Sequence, residues 1–383
     1  AEQFLCTYIT AFLKILQIDV IHSAHIFCMS DSKTEFLSME ARMSDRVYGV
    51  LLVSFSHHSH QRSFIQSFID HPRIRIIGVA DDMDIDEYLR PLNHSWADKL
   101  GVPYFEPIDE AVKRADVDIV SIGHEIERRS HIAVMAAGAG KHLWIDKFIG
   151  ANLDECNSVV EAVDKAGVKS ILPSYVYNDL VRQSQQVIDS CELGDLLGIH
   201  VDIMFNKGKP APISVEIRNA TFLPPGQWKF PEFKRELLTI GAYAIGLITR
   251  CFDKISEVYG QGDAYFFPVH AKSGAEDFGV LTLIDEKGRV GTISSGRIGV
   301  GSHAIGGPNQ AVLFGTKGTA RVDGGRPRLD SNMRSRIIHA DYEPPDEDPM
   351  QWASSPPSPT IRLAEDPMAL ALIDLIRAID NDQ

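Results

Sequence analysis

The first segment of the chain that could bind a ligand is a run of small polar residues spaced S-x-S-x-x-S. It consists of Ser54, Phe55, Ser56, His57, His58 and Ser59. Dinucleotide-binding turns need small residues at the same three places, usually as G-x-G-x-x-G after a buried strand. Serine keeps the side chains small and adds hydroxyl groups, but it lacks the conformational freedom of glycine. We expect a helix that begins near His58, with its free N–H groups facing a pyrophosphate.

An acidic residue stands at the distance that a dinucleotide site requires. Asp81 closes the second apolar stretch, twenty-two residues after Ser59. The spacing predicts that its carboxylate accepts hydrogen bonds from a ribose of NAD and repels the 2′-phosphate of NADP. The residues therefore predict NAD as the cofactor, in preference to NADP. The alternative is a Rossmann-like domain that no longer binds a cofactor.

Histidines in the same turn suggest a metal site as another interpretation. His57, His58 and His60 lie close together, whereas histidine ligands on a helix usually stand four residues apart beside a carboxylate. Their spacing does not place them on one helical face. We therefore expect no metal here, and a polar helix terminus near phosphates instead.

An alternation of strands and helices must position the serine turn. Between residues 46 and 173 the apolar runs are short and continuous, as in strands that are buried on both faces. The predicted strands are Val47–Val53, Arg73–Ala80, Val102–Phe105, Val117–Ile122, His142–Ile145 and Lys169–Leu172. Helical stretches separate them, which predicts a doubly wound parallel sheet, the α/β fold of a Rossmann-like dinucleotide-binding domain.

The pattern changes in residues 174–383. Helices are predicted at 180–191, 237–251 and 367–379. Shorter alternating runs between 198 and 322 are typical of half-buried strands, and the segments 207–233 and 324–364 are predicted loops. The second half therefore predicts an α+β domain whose open-faced sheet is mainly antiparallel.

Charge and composition exclude several classes of function. The 38 basic and 52 acidic residues give a net charge of −14, which argues against a general binder of nucleic acids or anionic membranes. No uninterrupted run of eighteen apolar residues occurs, so no transmembrane helix is predicted. The cysteines are Cys6, Cys28, Cys156, Cys191 and Cys251. Their odd number and wide spacing argue against a disulfide framework and favour a reducing cytoplasm.

Residues 1–45 differ from the rest of the chain. Apolar side chains are frequent up to Ile21, but polar residues such as Lys14 and Asp19 interrupt them, unlike in a membrane span or a signal peptide. We interpret the segment as an N-terminal extension. The alternative is an amphipathic helix that docks on the fold or on a partner.

Residues 131–148, HIAVMAAGAGKHLWIDKF, resemble a segment of the Gfo/Idh/MocA family (glucose-fructose oxidoreductase, inositol dehydrogenase, rhizopine catabolism). The family segment reads H-x-x-x-A-x-x-A-x-x-A-G-K-H-V-x-x-E-K-P. Gly78–Asp81, Leu100–Phe105, Cys191–Gly198 and Phe314–Ala320 are similar to further family segments. The resemblance covers about residues 46–324. It implies a Rossmann domain, then a substrate and oligomerisation domain, and hydride transfer between NAD(P) and sugars, polyols or related carbonyl compounds.

The resemblance also implies catalytic residues. Lys147 matches the lysine of E-K-P, and it is expected to contact the substrate and the nicotinamide ribose and to assist proton transfer. Asp146 takes the place of the glutamate, and Phe148 replaces the proline, so no special backbone turn is expected there. Tyr243 matches a histidine or tyrosine and would donate a proton if Lys147 lowers its pKa. Thr239 replaces an aspartate that holds the substrate.

Each of these roles has a structural alternative. Lys147 would then be a solvated lysine at a strand end, and Tyr243 a core aromatic with its hydroxyl at the rim. His124 is expected to line the nicotinamide pocket, and Asn178 to lie on the substrate side. Trp228-Lys229 resembles a W-R pair near the family's substrate, although a solvated loop explains it equally well.

The resemblance implies an NAD(P)-dependent oxidoreductase that acts on a small molecule in the cytoplasm, as a homodimer or homotetramer formed through the C-terminal sheet. Neither a nucleic acid nor a membrane is expected as a partner. The alternative is a non-catalytic homologue that binds dinucleotide or sugar as a sensor or partner protein. It is motivated by the missing glycines, by the changed residues beside Lys147 and by Thr239.

Overall fold

A computed structural model describes residues 46–56, 59–85, 87–173, 179–206, 213, 236–298, 308–324, 328–333 and 367–381. The predicted extension 1–45 lies outside the described residues, as does the predicted loop 207–233 apart from Ile213.

The first domain is built on a parallel sheet with the strand order β3-β2-β1-β4-β5-β6. Its strands are β1 (Tyr48–Val53), β2 (Ile74–Ala80), β3 (Tyr104–Phe105), β4 (Ile119–Ile122), β5 (His142–Ile145) and β6 (Ser170–Ile171). Its helices are α1 (Gln61–Asp70), α2 (Leu89–Leu100), α3 (Ile108–Val112), α4 (Ile126–Gly138) and α5 (Leu153–Ala166). The predicted doubly wound parallel sheet is confirmed. The strand order reverses between β1 and β4, which opens a crevice at the carboxyl edge of the sheet. Sheets of this type bind their ligands in that crevice.

Burial on both faces explains why the central strands are continuous apolar runs. All six residues of β1, YGVLLV, are buried. Helices α1 and α2 cover one face of the sheet, with Phe64 and Phe68 packed against Trp144. Helices α3, α4 and α5 cover the other face, with Ile132 and Val159 in that core. The edge of the sheet that carries the serine turn is therefore fixed by two apolar layers.

Helix α5 shows how local sequence sets the bounds of an element. Asn152 precedes it, and the Asn152 side chain accepts a hydrogen bond from the Glu155 N–H over 3.0 Å. Gly167 ends the helix with a φ of 65°, in the left-handed region that glycine adopts most easily.

The second domain is a mixed, mainly antiparallel sheet with the order β13-β12-β11-β7-β10-β9-β8. Its strands are β7 (Leu196–Asn206), β8 (Ile255–Asp263), β9 (Phe278–Asp285), β10 (Val290–Ile298), β11 (Asn309–Gly315), β12 (Gly318–Asp323) and β13 (Arg328–Met333). Strands β7 and β10 pair in parallel, and the other pairs are antiparallel. Helices α6 (Asp179–Asp189) and α7 (Glu236–Cys251) cover one face, and α8 (Pro268–Ser273) is a short connection. The open-faced α+β sheet is confirmed.

Strand β13 corrects the prediction that residues 324–364 form a loop. It pairs antiparallel with β12, with Gly318 opposite Met333 and Asp323 opposite Arg328. Its sequence, RLDSNM, is mostly polar and contains no β-branched residue. An edge strand of this composition gives no apolar alternation from which to predict it.

The last helix, α9 (Pro367–Asp380), packs on the first domain. Leu372 and Ile376 are buried in the same core as Phe64 and Trp144. Asp380 accepts hydrogen bonds from the Arg73 guanidinium over 2.7 and 2.8 Å. The chain thus returns from the second sheet to the first, although the boundaries 174–383 place this helix with the second domain.

Among the helices that the structure describes, none is long and apolar enough to cross a membrane.

Candidate active site

The S-x-S-x-x-S turn follows β1 and lies at the carboxyl edge of the parallel sheet. Ser54 has a φ of 60°, so it adopts the left-handed conformation that a glycine would supply. Ser56 Oγ donates to Glu125 Oε1 over 2.6 Å, and Ser59 Oγ donates to the Ser56 carbonyl over 3.1 Å. The turn keeps a glycine-like backbone at its first position, and these two hydroxyls already bond within the protein.

Helix α1 begins at Gln61, three residues later than predicted. The preceding residue, His60, donates its backbone N–H to Asp146 Oδ2 over 2.7 Å. Its ring Nδ1 lies 2.9 Å from Asp146 Oδ1, and the imidazole is 43% exposed. The N-terminus of α1 therefore already faces one carboxylate, which belongs to the residue before Lys147.

Asp146 is fully buried and joins three elements of the first domain. Besides His60, it faces Arg129 of α4, whose Nη2 lies 3.4 Å from Asp146 Oδ2. The Arg129 side chain is also fully buried. Burial by itself would raise the pKa of Asp146, but the charges of Arg129 and His60 lower it to about 2. Asp146 is thus a buried carboxylate that depends on its cationic partners.

The backbone of Lys147 is held from both sides. Its N–H donates to Asp146 Oδ1 over 2.8 Å, and the Arg129 guanidinium donates to its carbonyl oxygen. The peptide bond between Lys147 and Phe148 is cis. The expectation that replacing the proline removes a special turn is therefore wrong.

The Lys147 side chain reaches from the first domain to helix α7 of the second. Its Nζ donates to the carbonyl oxygen of Thr239 over 2.7 Å and lies 4.2 Å from the centre of the Tyr243 ring. Burial lowers the pKa of Lys147 to about 8, against the opposing effects of Asp146 and Glu236. A pKa near neutrality suits a group that exchanges a proton during catalysis.

Thr239 and Tyr243 lie on the face of α7 that contacts Lys147. Thr239 Oγ1 is buried and has no hydrogen-bond partner among the described residues. Because an unpaired buried hydroxyl costs free energy, a bound hydroxyl or carbonyl group would complete this position. Burial raises the pKa of Tyr243, and the Asp146 charge adds to the rise. The condition that Lys147 lowers this pKa is therefore not met, and the phenol is protonated at neutral pH.

Asp81 lies at the end of β2, where the spacing predicts it, but its carboxylate is turned inward. The residue is completely buried. The Asn93 side-chain amide donates to Asp81 Oδ2, and Asp81 Oδ1 accepts from the Asp82 N–H over 3.2 Å. His124 Nε2 lies 2.9 Å from Asp81 Oδ1. The contact of Asp81 with a ribose therefore stays a prediction, and in this structure the carboxylate organises the protein interior.

His124 connects Asp81 with the start of α4. Its ring is fully buried, and Nδ1 accepts the Glu125 N–H over 2.7 Å. Its predicted place in the nicotinamide pocket stays a prediction. The carboxylate of Glu125 accepts from Ser56 Oγ and from the Tyr88 hydroxyl, so it lies beside the serine turn.

The structure does not describe every predicted site residue. His57 and His58 of the turn, and Asn178, Trp228 and Lys229 of the substrate side, lie outside the described residues. No group of three or more potential metal ligands occurs in the described part of the chain.

The sequence places Arg129 and Glu125 on the carboxyl edge where ligands bind, without individual roles, and offers His60 only as a possible metal ligand. It assigns no role to Glu236. Arg129 and Glu125 follow β4 on the carboxyl edge, and that position is a usable signal. Glu236 begins α7, one turn before Thr239, and its charge raises the pKa of Lys147. His60 and Asp146 are far apart in sequence, and no local pattern predicts their contact.

The residues present fit a nicotinamide dinucleotide at the sheet edge. Ser54 supplies the backbone conformation of the turn, and Lys147 and the unpaired Thr239 hydroxyl lie together at the domain boundary. Ser54, Ser56, Ser59, His60 and Glu125 would surround the phosphates and riboses, and Lys147 would lie at the nicotinamide end.

Two family models match successive parts of the chain. Residues 59–173 match the model described as an oxidoreductase family with an NAD-binding Rossmann fold. Residues 181–321 match the GFO/IDH/MocA C-terminal domain. The two matched regions correspond to the parallel sheet and to the open-faced sheet.

Two curated relatives are similar to the chain over more than half of its length. The chain is 26% identical over 237 residues to an uncharacterized oxidoreductase, YrbE, of Bacillus subtilis, and 24% identical over 229 residues to myo-inositol 2-dehydrogenase of Thermotoga maritima. These matches cover 61% and 59% of the chain, and the chain spans 63% of the length of each relative.

A levoglucosan dehydrogenase solved with NADH and L-sorbose has a TM-score of 0.64 at 16% identity, covering 88% of this chain and 90% of that one. The WlbA dehydrogenase of Bordetella pertussis, solved with NADH and UDP-GlcNAcA, has a TM-score of 0.58 at 18% identity, covering 80% and 81%. At these identities the two structures show a shared fold.

Proposed function

Because the chain belongs to the GFO/IDH/MocA oxidoreductase family, we propose that it is an NAD-dependent oxidoreductase. It transfers hydride between the nicotinamide and a carbon bearing oxygen in a sugar, a polyol or a related carbonyl compound. The observation that carries the proposal is the position of Lys147. Its ammonium lies at the carboxyl edge of a dinucleotide-type sheet, between the Thr239 carbonyl and the Tyr243 ring.

The cofactor, when bound, supplies the hydride acceptor for oxidation and the hydride donor for reduction. Lys147 faces the reacting oxygen, where its ammonium stabilises negative charge as the hydroxyl proton leaves or returns. Tyr243, protonated and beside Lys147, orients the substrate oxygen by donating a hydrogen bond to it. Thr239 Oγ1 binds a neighbouring hydroxyl of the substrate.

The relatives suggest which substrates to examine first. One curated relative acts on myo-inositol, and one structural neighbour was solved with L-sorbose. Cyclic polyols and sugars with several adjacent hydroxyl groups match the polar set formed by Lys147, Thr239 and Tyr243.

The proposal is tested by titrating NAD, NADH, NADP and NADPH separately into the purified protein and measuring binding and thermal unfolding. A ligand that binds only the folded state raises the unfolding temperature by mass action. We expect NAD(H) to produce the larger shift, and one member of a polyol and sugar panel to reduce NAD. Protein that binds neither cofactor would overturn the proposal.

The open face of the second sheet supports a homo-oligomer, as a dimer or tetramer. Large apolar side chains are exposed on its open face: Tyr259, Val280, Val290 and Phe314, from 40% to 57%. Exposed apolar side chains grouped on one sheet commonly mark protein interfaces. Light scattering of the purified protein tests this assembly.

We also place the protein in the cytoplasm, because the odd number and wide spacing of its cysteines favour a reducing compartment.

A further inference from the structure

We propose that Glu125, rather than Asp81, is the carboxylate that binds a ribose of the dinucleotide and disfavours NADP. This inference rests on the proposed function, because it concerns the cofactor of the same site. It assigns the ribose contact to the residue after β4 instead of the residue that ends β2.

The Asp81 carboxylate is already occupied by contacts within the protein. Asp81 is completely buried, and its two oxygens face Asn93, the Asp82 N–H and His124. A ribose could reach this carboxylate only if these contacts were broken inside the core. Breaking them would leave buried donors unpaired, which opposes binding.

Glu125 lies where its carboxylate can meet a bound dinucleotide. It is half-buried and precedes α4 as its N-cap residue, but its side chain does not cap that helix. The carboxylate instead accepts hydrogen bonds from Ser56 in the serine turn and from Tyr88, just before α2. It therefore lies between the loops that follow β1, β2 and β4, where a dinucleotide crosses the edge of such a sheet.

Asp81 positions Glu125 through the ring of His124. His124 lies 2.9 Å from Asp81 Oδ1 through Nε2 and accepts the Glu125 N–H through Nδ1 over 2.7 Å. The imidazole thus connects the buried carboxylate of Asp81 to the backbone of the half-buried Glu125. Asp81 is therefore a positioning residue, and Glu125 makes the contact with the ligand.

The chemistry of the ligand then follows from the charge. A carboxylate accepts two hydrogen bonds from the adjacent hydroxyls of a ribose and repels a 2′-phosphate at the same place. Glu125→Gln keeps the size of the side chain and removes the charge. Glu127, two residues later on α4 and exposed, provides a matched control for the loss of one negative charge.

The experiment measures the dissociation constants of NADH and NADPH by fluorescence titration of the full chain, for wild type, Glu125→Gln, Glu125→Asp and Glu127→Gln. We expect Glu125→Gln to weaken NADH binding about ten- to hundredfold, as for the loss of a charged hydrogen bond. We expect the preference for NADH over NADPH to fall by a similar factor. Glu125→Asp keeps the charge on a shorter side chain, so its affinity for NADH should lie between those of wild type and Glu125→Gln. Glu127→Gln should bind NADH as tightly as wild type.

Unchanged or tighter NADH binding by Glu125→Gln would overturn the inference while leaving the proposed function intact. An equal loss of NADH affinity in Glu127→Gln would also overturn the inference, because the effect would then come from the overall negative charge and not from a contact of Glu125. A wild-type protein that does not bind NADH would instead overturn the proposed function. Thermal unfolding of each variant identifies any loss that comes from misfolding.

Discussion

The two ends of the crevice at the carboxyl edge differ in how their charged residues are arranged. At one end, Lys147 is half-buried and extends its ammonium to Thr239 and Tyr243 on the other domain. At the other end, Asp81 is buried with its carboxylate bonded inside its own domain. The two charged groups therefore differ in their partners: one contacts the neighbouring domain, and the other is enclosed by its own. The partners of a charged side chain indicate whether it can meet a ligand.

The comparison is tested most strongly at Lys147. We expect Lys147→Met to reduce turnover of any substrate identified for the wild-type protein by about 10²- to 10⁴-fold, as for the loss of an acid–base group. Steady-state assays measure the effect. Lys113→Met, which removes an exposed lysine paired with Asp109 and Glu110, should leave turnover unchanged. Equal turnover by Lys147→Met and wild type would show that this ammonium does not act on the substrate.

The support of Lys147 is tested at Arg129. We expect Arg129→Met to lower the free energy of unfolding by about 3–5 kcal/mol, because it removes the buried guanidinium that faces the buried Asp146 carboxylate. Urea denaturation measures the change. Arg128→Met removes the adjacent, partly exposed arginine, which pairs with Asp82 and Asp84, and should cost less than about 1 kcal/mol. Similar losses in the two variants would contradict the role of the buried pair.

At the other end, Asp81→Ala should act on the protein interior. We expect a loss of about 1–3 kcal/mol in the free energy of unfolding, because Asn93 and His124 lose a buried partner. Asp82→Ala, one residue later and more exposed, is the control, with an expected loss below about 1 kcal/mol. If Asp81→Ala unfolds like wild type and only cofactor binding weakens, the contrast between the two ends is incorrect.

The smallest effect expected is a pH dependence of stability. The pKa of Lys147 is about 8 in the folded protein against an ordinary value of 10.5, so between these values the unfolded chain binds more protons. Stability should therefore rise with pH in this window, by at most about 1.4 kcal/mol per pH unit from this group. Urea denaturation at pH 8 and pH 9.5 should show a rise in wild type that is reduced in Lys147→Met. Parallel profiles of the two proteins would contradict the lowered pKa.

The sequence predicts the backbone of the site better than its contacts. The apolar runs and their spacing place the serine turn, Asp81 and Lys147 at one edge of a parallel sheet, and that fold is confirmed. Such patterns depend on periods of two or 3.6 residues, and therefore locate elements along the chain. They contain no information on which buried side chain Asp81 contacts, because Asn93 and His124 belong to other elements.

The same limit explains the features that were missed. The cis peptide before Phe148 arises without proline, so its composition gives no sign of it. Strand β13 lies at a sheet edge and is defined by pairing with β12 rather than by apolar residues. The contacts of Arg129 join residues 17 and 18 positions apart, beyond the reach of a helical or strand period.

The docking of α9 on the first domain has a consequence for how the protein forms during synthesis. Leu372 and Ile376 complete the core layer that contains Phe64 and Trp144, and Asp380 pairs with Arg73. These residues leave the ribosome after the whole second sheet. The nascent first domain must therefore wait, with part of its apolar layer uncovered, until α9 has been translated. Its core is completed only after the second sheet has been made.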